Sequence, residues 1–242
     1  MALRGTAGQA NVPTSTTVSV NVSGIGIQNN DLVLLFGVFG GTVTSPTWPS
    51  GFVSIPSLTN IFNSNLNFAA AYKIAGNSEP STYTITPGDT DYFVAQCRVY
   101  YGRNTTSPFS AVASTGISGS AQGFPATYGA AGVTAVAGDD LLTVIGVQGA
   151  NASDTITFTA PNGFGNTLNT QAGTTAYQPF LFSSDNLNVS GGATGTINTT
   201  ATDSQGKSLY WAAFTLSLAS GGGGSAGPTP IGGPPRTQWH WR

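Results

Sequence analysis

Charge is what this chain has least of. Lys, Arg, Asp and Glu make up 7% of its 242 residues, and histidine, cysteine and methionine occur once each. An average globular domain carries roughly 25% charged residues. Each shortage excludes a class of function. The sole histidine, His240, stands close to the C-terminal residue, which leaves a hydrolytic triad without its usual base. One histidine and one distant cysteine do not supply the three or four ligands of a zinc site. Cys97 has no partner for an internal disulfide, and its place in the run Phe93 to Val99 predicts a buried structural thiol. The seven basic residues are scattered from Arg4 to Arg242 and the formal net charge is −2. Duplex phosphates need clustered cations, so nucleic acid is not an expected partner.

Long apolar runs are missing as well. The densest, Leu32 to Phe39, is far shorter than the roughly 20 residues of a membrane-spanning helix. Met1 to Gly5 lack the apolar stretch of a secretory signal, which points to synthesis in a cytoplasm without export or membrane insertion. Gly24-Ile25-Gly26 lacks the third glycine and the helix of a dinucleotide fingerprint. Two pairs of carboxylates remain, Asp89 with Asp91 and Asp139 with Asp140. Such pairs serve glycosidases and calcium sites. Asp beside Gly or Pro more often caps a turn by accepting nearby backbone N–H groups, and that is the reading adopted here. The chain is therefore expected to be non-enzymatic, with no catalytic residue, metal or cofactor.

What is present is apolar and turn-forming material: 13 Phe, 8 Tyr, 4 Trp and 33 Gly, in a chain that is 39% hydrophobic. Val18, Val20 and Val22 alternate with Ser19 and Asn21, the period of a half-buried strand. Tyr83/Ile85, Ile156/Phe158, Phe180/Phe182 and Leu187/Val189 repeat the pattern, and Tyr210, Ala212, Phe214, Leu216 and Leu218 share one face of a last strand. Turn clusters such as Pro87-Gly88-Asp89 and Pro161-Asn162-Gly163 separate these runs, and no window carries a helical stripe.

A weak internal repeat organises the strands. Asp31-Leu32 followed by Gly37-Val38 matches Asp140-Leu141 followed by Gly146-Val147, and Trp48-Pro49-Ser50-Gly51-Phe52 lines up with Ala160-Pro161-Asn162-Gly163-Phe164. Tyr83 to Thr86 then resembles Gly195 to Asn198, and Tyr92-Phe93 resembles Tyr210-Trp211. The halves fall at about 14–113 and 133–219, joined through the Ser-, Gly- and Ala-rich stretch Ser114 to Gly132. Two small tandem sandwiches and one larger sandwich both fit. The single body is favoured: an all-β, jelly-roll-like antiparallel sandwich over 14–219 whose halves bury their inner faces against each other. Extended arms are expected over 1–13 and 220–242. The second opens with the flexible Gly221 to Ser225, continues Gly- and Pro-rich, and ends Arg236-Thr237-Gln238-Trp239-His240-Trp241-Arg242. Ile231, Arg236, Trp239, His240, Trp241 and Arg242 are its candidate partner-binding residues, the tryptophans as aromatic anchors.

Asp-Leu-Val-Leu-Leu-Phe at 31–36, Pro-Ser-Gly-Phe at 49–52, Ala-Ala-Ala-Tyr-Lys-Ile-Ala at 69–75 and Glu-Pro-Ser-Thr-Tyr-Thr-Ile at 79–85 carry a resemblance. Gly-Ala-Thr-Gly-Thr-Ile at 192–197 leading into Tyr-Trp-Ala-Ala-Phe-Thr-Leu at 210–216 extends it. Over residues 14–219 the chain resembles β-sandwich modules of tailed-phage structural proteins and of some bacterial surface proteins. These motifs are core and turn positions, so they transfer no catalytic residue. The resemblance implies a virion component, either head decoration or cement, or a tail, collar or fibre subunit. The implied partners are a major capsid or tail protein and copies of itself, with a homo-oligomer, a trimer by the habit of jelly-roll assemblies. The rival from another class is a carbohydrate- or host-receptor-binding module. Trp48, Phe52, Tyr101 and Phe164 are its candidate stacking residues, with Tyr100 and Tyr128 as further aromatics near strand ends.

Overall fold

The computed structural model describes residues 2–10, 16–40, 46–55, 57–58, 61–63, 66–88, 92–118, 122–123, 125–149, 155–172, 178–203 and 207–221. Among them lie nineteen strands, numbered here along the chain, and no helix. One large sheet runs β1 (Ala2–Ala10), β8 (Phe93–Tyr101), β3 (Leu32–Gly40), β6 (Leu66–Ile74), β4 (Val53–Ser54), with β5 (Ile61–Asn63) also on β6. The other runs β10 (Gln122–Gly123), β19 (Lys207–Leu218), β13 (Asp140–Gly149), β16 (Pro179–Asn186), β15 (Gly165–Gln171), with β9 (Phe109–Ser118) also on β19. Three small sheets complete the fold: β2 (Val18–Asn21) with β7 (Thr82–Ile85); β11 (Ala126–Ala130), β18 (Ile197–Asp203) and β14 (Ile156–Thr159); and β12 (Thr134–Ala135) with β17 (Gly192–Ala193).

Alternation of side chains decides how these sheets stack. Leu32, Leu34, Phe36 and Val38 of β3 point to one face and pack with Leu142, Val144, Leu181, Phe214 and Leu216 of the other large sheet. Val33, Leu35 and Phe39 point the opposite way and pack with Val18, Val20, Tyr83 and Ile85 of the β2–β7 pair. On the far side, Ile145, Val147, Phe180 and Phe182 pack with Tyr128, Ile156 and Ile197 of the β11–β18–β14 sheet. The result is four layers: a small sheet, two large sheets face to face, and a second small sheet. Antiparallel sheets commonly leave one face in water, whereas strands covered on both faces read as continuous apolar runs. That is why Leu32–Phe39 shows no polar alternation, and why β13 is buried along its whole length. Phe214 sits at the middle of the joint between the large sheets, with ring centroids 4.7 Å from Phe68 and 5.5 Å from Phe36. Gly146 faces the same joint, where an added Cβ would come within 2.6 Å of Val38.

Beside this apolar joint runs a buried polar seam. Gln96, Arg98 and Tyr100 alternate along β8 toward β16 and β15. Gln96 Nε2 donates to the Leu181 carbonyl (2.7 Å) and Arg98 Nε to Ser183 Oγ (2.8 Å). Arg98 Nη1 lies 3.0 Å from Asp185 Oδ2, with both side chains fully buried. Tyr100 Oη also donates to that oxygen (3.0 Å), and Asn166 Nδ2 donates to Asp185 Oδ1 (2.7 Å). Arg98 Nη2 is taken up by the carbonyls of Asn166 and Ser183. A buried ion pair is tolerable only when its remaining hydrogen-bonding capacity is filled, and here it is.

The expected all-β antiparallel sandwich class is what the structure shows, but several segments differ from the sequence reading. Residues 1–13, expected as an arm, supply Ala2–Ala10 as edge strand β1, paired along β8 from Ala2↔Tyr101 to Ala10↔Val94. The stretch Ser114 to Gly132, expected as a junction poor in strands, holds the end of β9, all of β10 and all of β11. Leu187/Val189 is not a strand. The Val189 N–H instead donates to the Asp139 carbonyl (2.8 Å) in a loop. The proposed match of Asp31 with Asp140 is also out by one residue. Asp31 N–H donates to the Gln28 carbonyl and the Ala75 N–H to the Asp31 carbonyl (3.1 and 2.8 Å). Asp139 does the same with Val136 and Val189 (3.1 and 2.8 Å), so Asp139 is the counterpart. A one-residue slip exchanges faces: Leu32 belongs to the central joint, while Leu141 belongs to an outer cluster with Val133 and Ala135.

Removing one partner of the seam should be far worse than removing both. Arg98→Met leaves the Asp185 carboxylate buried without its cation, an expected loss of about 3–5 kcal/mol in urea unfolding. Arg98→Met with Asp185→Leu should regain part of that loss. A single variant as stable as the parent would show that the seam does not hold the two sheets.

Candidate functional site

The charged residues are the natural place to look for chemistry, and the fold turns most of the described ones inward. Arg4, on β1, forms a two-pronged pair with Asp31 through Nε and Nη2 (2.5 and 3.0 Å). Lys73 Nζ, on β6, lies 2.9 Å from Glu79 Oε2, which also accepts from the Tyr83 hydroxyl (2.6 Å). Arg103 Nη1 donates to the Leu218 carbonyl (3.0 Å) and stands 3.3 Å from Asp140 Oδ2. With Arg98 and Asp185 this accounts for every Lys and Arg whose side-chain placement is described. No charged residue among the described side chains is exposed.

Asp139 and Asp140, the described candidates for paired carboxylates, act on the fold. Asp139 accepts from the Val136 and Ser220 N–H groups (both 3.1 Å) and from Ser217 Oγ (2.8 Å). Burial alone would push its carboxyl up, but the Ser217 and Ser110 hydroxyls and the two N–H groups outweigh that and hold it below the ordinary 3.8. Asp140 accepts from the Asn188 N–H (2.8 Å), and burial raises its carboxyl above the ordinary value despite that bond and the nearby Arg103. Neither acid reaches solvent, so neither is placed to protonate a substrate or activate water. Asp89 and Asp91 lie outside the described residues. Among the described residues no group of three or more His, Cys, Asp or Glu is placed to share a metal ion. Cys97 is buried and desolvation pushes its thiol well up, which makes it unreactive.

The candidate stacking aromatics are not brought together. Trp48 and Phe52 are half-buried against the cluster under the β2–β7 pair, and Phe52 meets the Tyr83 ring edge-on at 5.0 Å. Phe164 is half-buried on the opposite outer layer. Tyr101, 40% exposed at the end of β8, carries the Arg4 guanidinium 5.0 Å from its ring centroid. Tyr100 and Tyr128 are fully buried and cannot meet a ligand. The partner-binding candidates Ile231, Arg236, Trp239, His240, Trp241 and Arg242 lie outside the described residues.

Around Phe164 the fold makes a pocket that the sequence did not announce. Phe52 and Phe164 each follow a Pro-x-Gly turn. In these turns the Phe52 and Phe164 N–H groups bond back to the Pro49 and Pro161 carbonyls (3.1 and 3.0 Å), and Gly51 and Gly163 sit at φ 83° and 80°. The second turn faces the loop between β16 and β18, and the two enclose an open pocket of about 480 Å³ lined by Asn162, Phe164, Asn186, Thr196 and Asn198 among others. No charged residue lines it. The loop wall is pinned from behind: the Gly138 N–H donates to the Val189 carbonyl and the Thr194 N–H to the Val133 carbonyl (both 2.9 Å), and the Val133 N–H to Thr194 Oγ1 (3.0 Å). Turn residues signal a bend but not what the bend will face, so the pocket was visible only in three dimensions. No protein-family model, curated protein or solved structure matches the chain.

The acid held below its ordinary value gives a pH signature. A depressed carboxyl contributes stability above about pH 4, and that contribution is lost as pH falls through the lower folded-state value. Ser217→Ala removes one of the bonds that depress Asp139. It should lower the melting temperature at neutral pH, and the gap to the parent should narrow as pH falls below about 4. A gap independent of pH would mean that the hydroxyl acts through packing alone.

Proposed function

We propose that the protein is a non-enzymatic structural module of a larger assembly, a virion component of a tailed phage by the resemblance of its core and turn motifs. The observation that carries this reading is the absence of exposed charge among the described side chains. Like charges on adjoining surfaces repel and keep proteins apart, and a surface of Ser, Thr, Asn and Gly has little such repulsion. Copies and neighbours can therefore approach closely, with uncharged hydrogen-bonding groups meeting across the joint. The body suits the same task. Four stacked layers bury both faces of the central strands of each large sheet, and a core packed to that degree transmits load without deforming. The proposed tether is the C-terminal segment 220–242, through Trp239 and Trp241 as anchors in a capsid or tail protein or another copy of this chain.

Cross-linking mass spectrometry on the native particle tests the reading, with photoreactive chemistry because the chain has only two lysines, Lys73 and Lys207. Links from 220–242 to a major shell or tail protein are expected, and links confined to this chain's own sandwich would overturn the tethering role. Because no described charged side chain is fully exposed, attachment should also resist salt. At roughly 1 M NaCl, where charges are screened within about 3 Å, the protein should stay on the particle. Release by salt alone would show that charge holds it there.

A further inference from the structure

We infer that the pocket beside Phe164 is a binding site for a neutral saccharide. The case rests on its chemistry and its rigidity. Its volume, about 480 Å³, lies within the range of roughly 300–1,000 Å³ found for small-molecule sites. The absence of charged lining residues removes the partners that a phosphate, a carboxylate or an amine would require on being desolvated. What lines it instead suits a sugar ring. Phe164 supplies one aromatic face, half-buried and therefore fixed, against which the C–H face of a pyranose can lie. Asn162, Asn186, Asn198 and Thr196 share the lining, and their side chains are amides and a hydroxyl. An amide both donates and accepts, as does a sugar hydroxyl, so each can meet the other without a change of charge.

The site is also formed in advance. The Pro161 to Phe164 turn is closed by its own hydrogen bond, and Gly163 packs so closely that an added Cβ would stand 3.3 Å from Asn186 Nδ2. The facing loop is fixed to β12 and to the Asp139 turn, as described above. Asn198 and Thr196 are exposed at the start of β18, whose Ile197 is buried in the core. Preformed walls spare a ligand the cost of ordering them. At the matching turn near residue 52 the surroundings differ: Phe52 packs on Tyr83, and Lys73 and Glu79 stand close by, with Lys73 Nζ 5.6 Å from the Phe52 ring centroid. The inference does not depend on the assembly role, and either can fail alone.

The test is saturation-transfer NMR on the full chain with methyl glycosides of glucose, galactose, mannose and N-acetylglucosamine, with maltose, cellobiose, lactose and chitobiose, and with sialyllactose as the charged comparison. At least one neutral sugar should bind below roughly 10 mM. Its affinity should fall about tenfold or more in Asn198→Ala, an exposed position whose loss leaves the core intact, and in Phe164→Ala. Thr157→Ala, exposed on β14 away from the pocket, should bind as the parent does. No neutral sugar bound at that concentration, binding by sialyllactose alone, or full affinity in Asn198→Ala would each overturn the assignment.

Discussion

The packing of two large sheets against each other, while small sheets cover their outer faces, is the constraint on which the rest of the structure depends. It forces the central strands to be apolar on both sides, so β3 and β13 carry side chains into two different cores at once. It also demands a close approach, which Gly146 and Phe214 on one sheet and Phe36 and Phe68 on the other satisfy. Where the joint is polar, the seam from Gln96 to Tyr100 meets Leu181 to Asp185 with donors and acceptors matched. The apolar part of the joint supplies driving force. The seam supplies register, because sliding β8 against β16 would strand Arg98 and Asp185 in a region without water.

This architecture also decides where charge can be. Cations are few and each described one is used inside the fold: Arg4 fastens the edge strand to the Asp31 turn, Lys73 holds Glu79, Arg98 joins the large sheets, and Arg103 caps the end of β19 near Asp140. Asp139 caps a turn, and Asp31, Glu79, Asp140 and Asp185 stand beside those cations. A chain with ordinary charge content would have surface ions left over. Among the described side chains no charged one is fully exposed, and the described exterior is therefore largely polar and suited to close contact. The pocket at Phe164 fits the same exterior, since its polar groups are amides and hydroxyls.

Strands rich in bulky residues were legible in the sequence because alternation or continuous apolar character reports burial directly. The runs at Val18–Asn21, Ile156–Thr159 and Lys207–Leu218 are examples. Strands β1 and β11, built from Ala, Gly and Thr with few large side chains, were not legible, because small residues give little contrast between a buried and an exposed face. The halves were aligned by the letters Asp-Leu and Gly-Val, which set Asp31 on Asp140. Backbone hydrogen bonds set it on Asp139, a shift that letters cannot detect and that moves every side chain to the other face. The burial of Arg98 was not legible either, since the Ser183 and Asp185 that receive it are more than eighty positions away.

By itself, then, the sequence determined that the chain is all-β, low in charge and poor in the groups that catalysis or phosphate binding requires. It also determined where the two Pro-x-Gly turns fall, since local periodicity, composition and turn chemistry act over a few residues. Only the tertiary structure decided that there are four layers, that Asp139 and Asp140 serve the fold, and that one aromatic turn opens on a pocket while the other closes on a tyrosine. Those outcomes depend on which faces meet, and the pairing of faces is set by contacts between residues far apart in the chain.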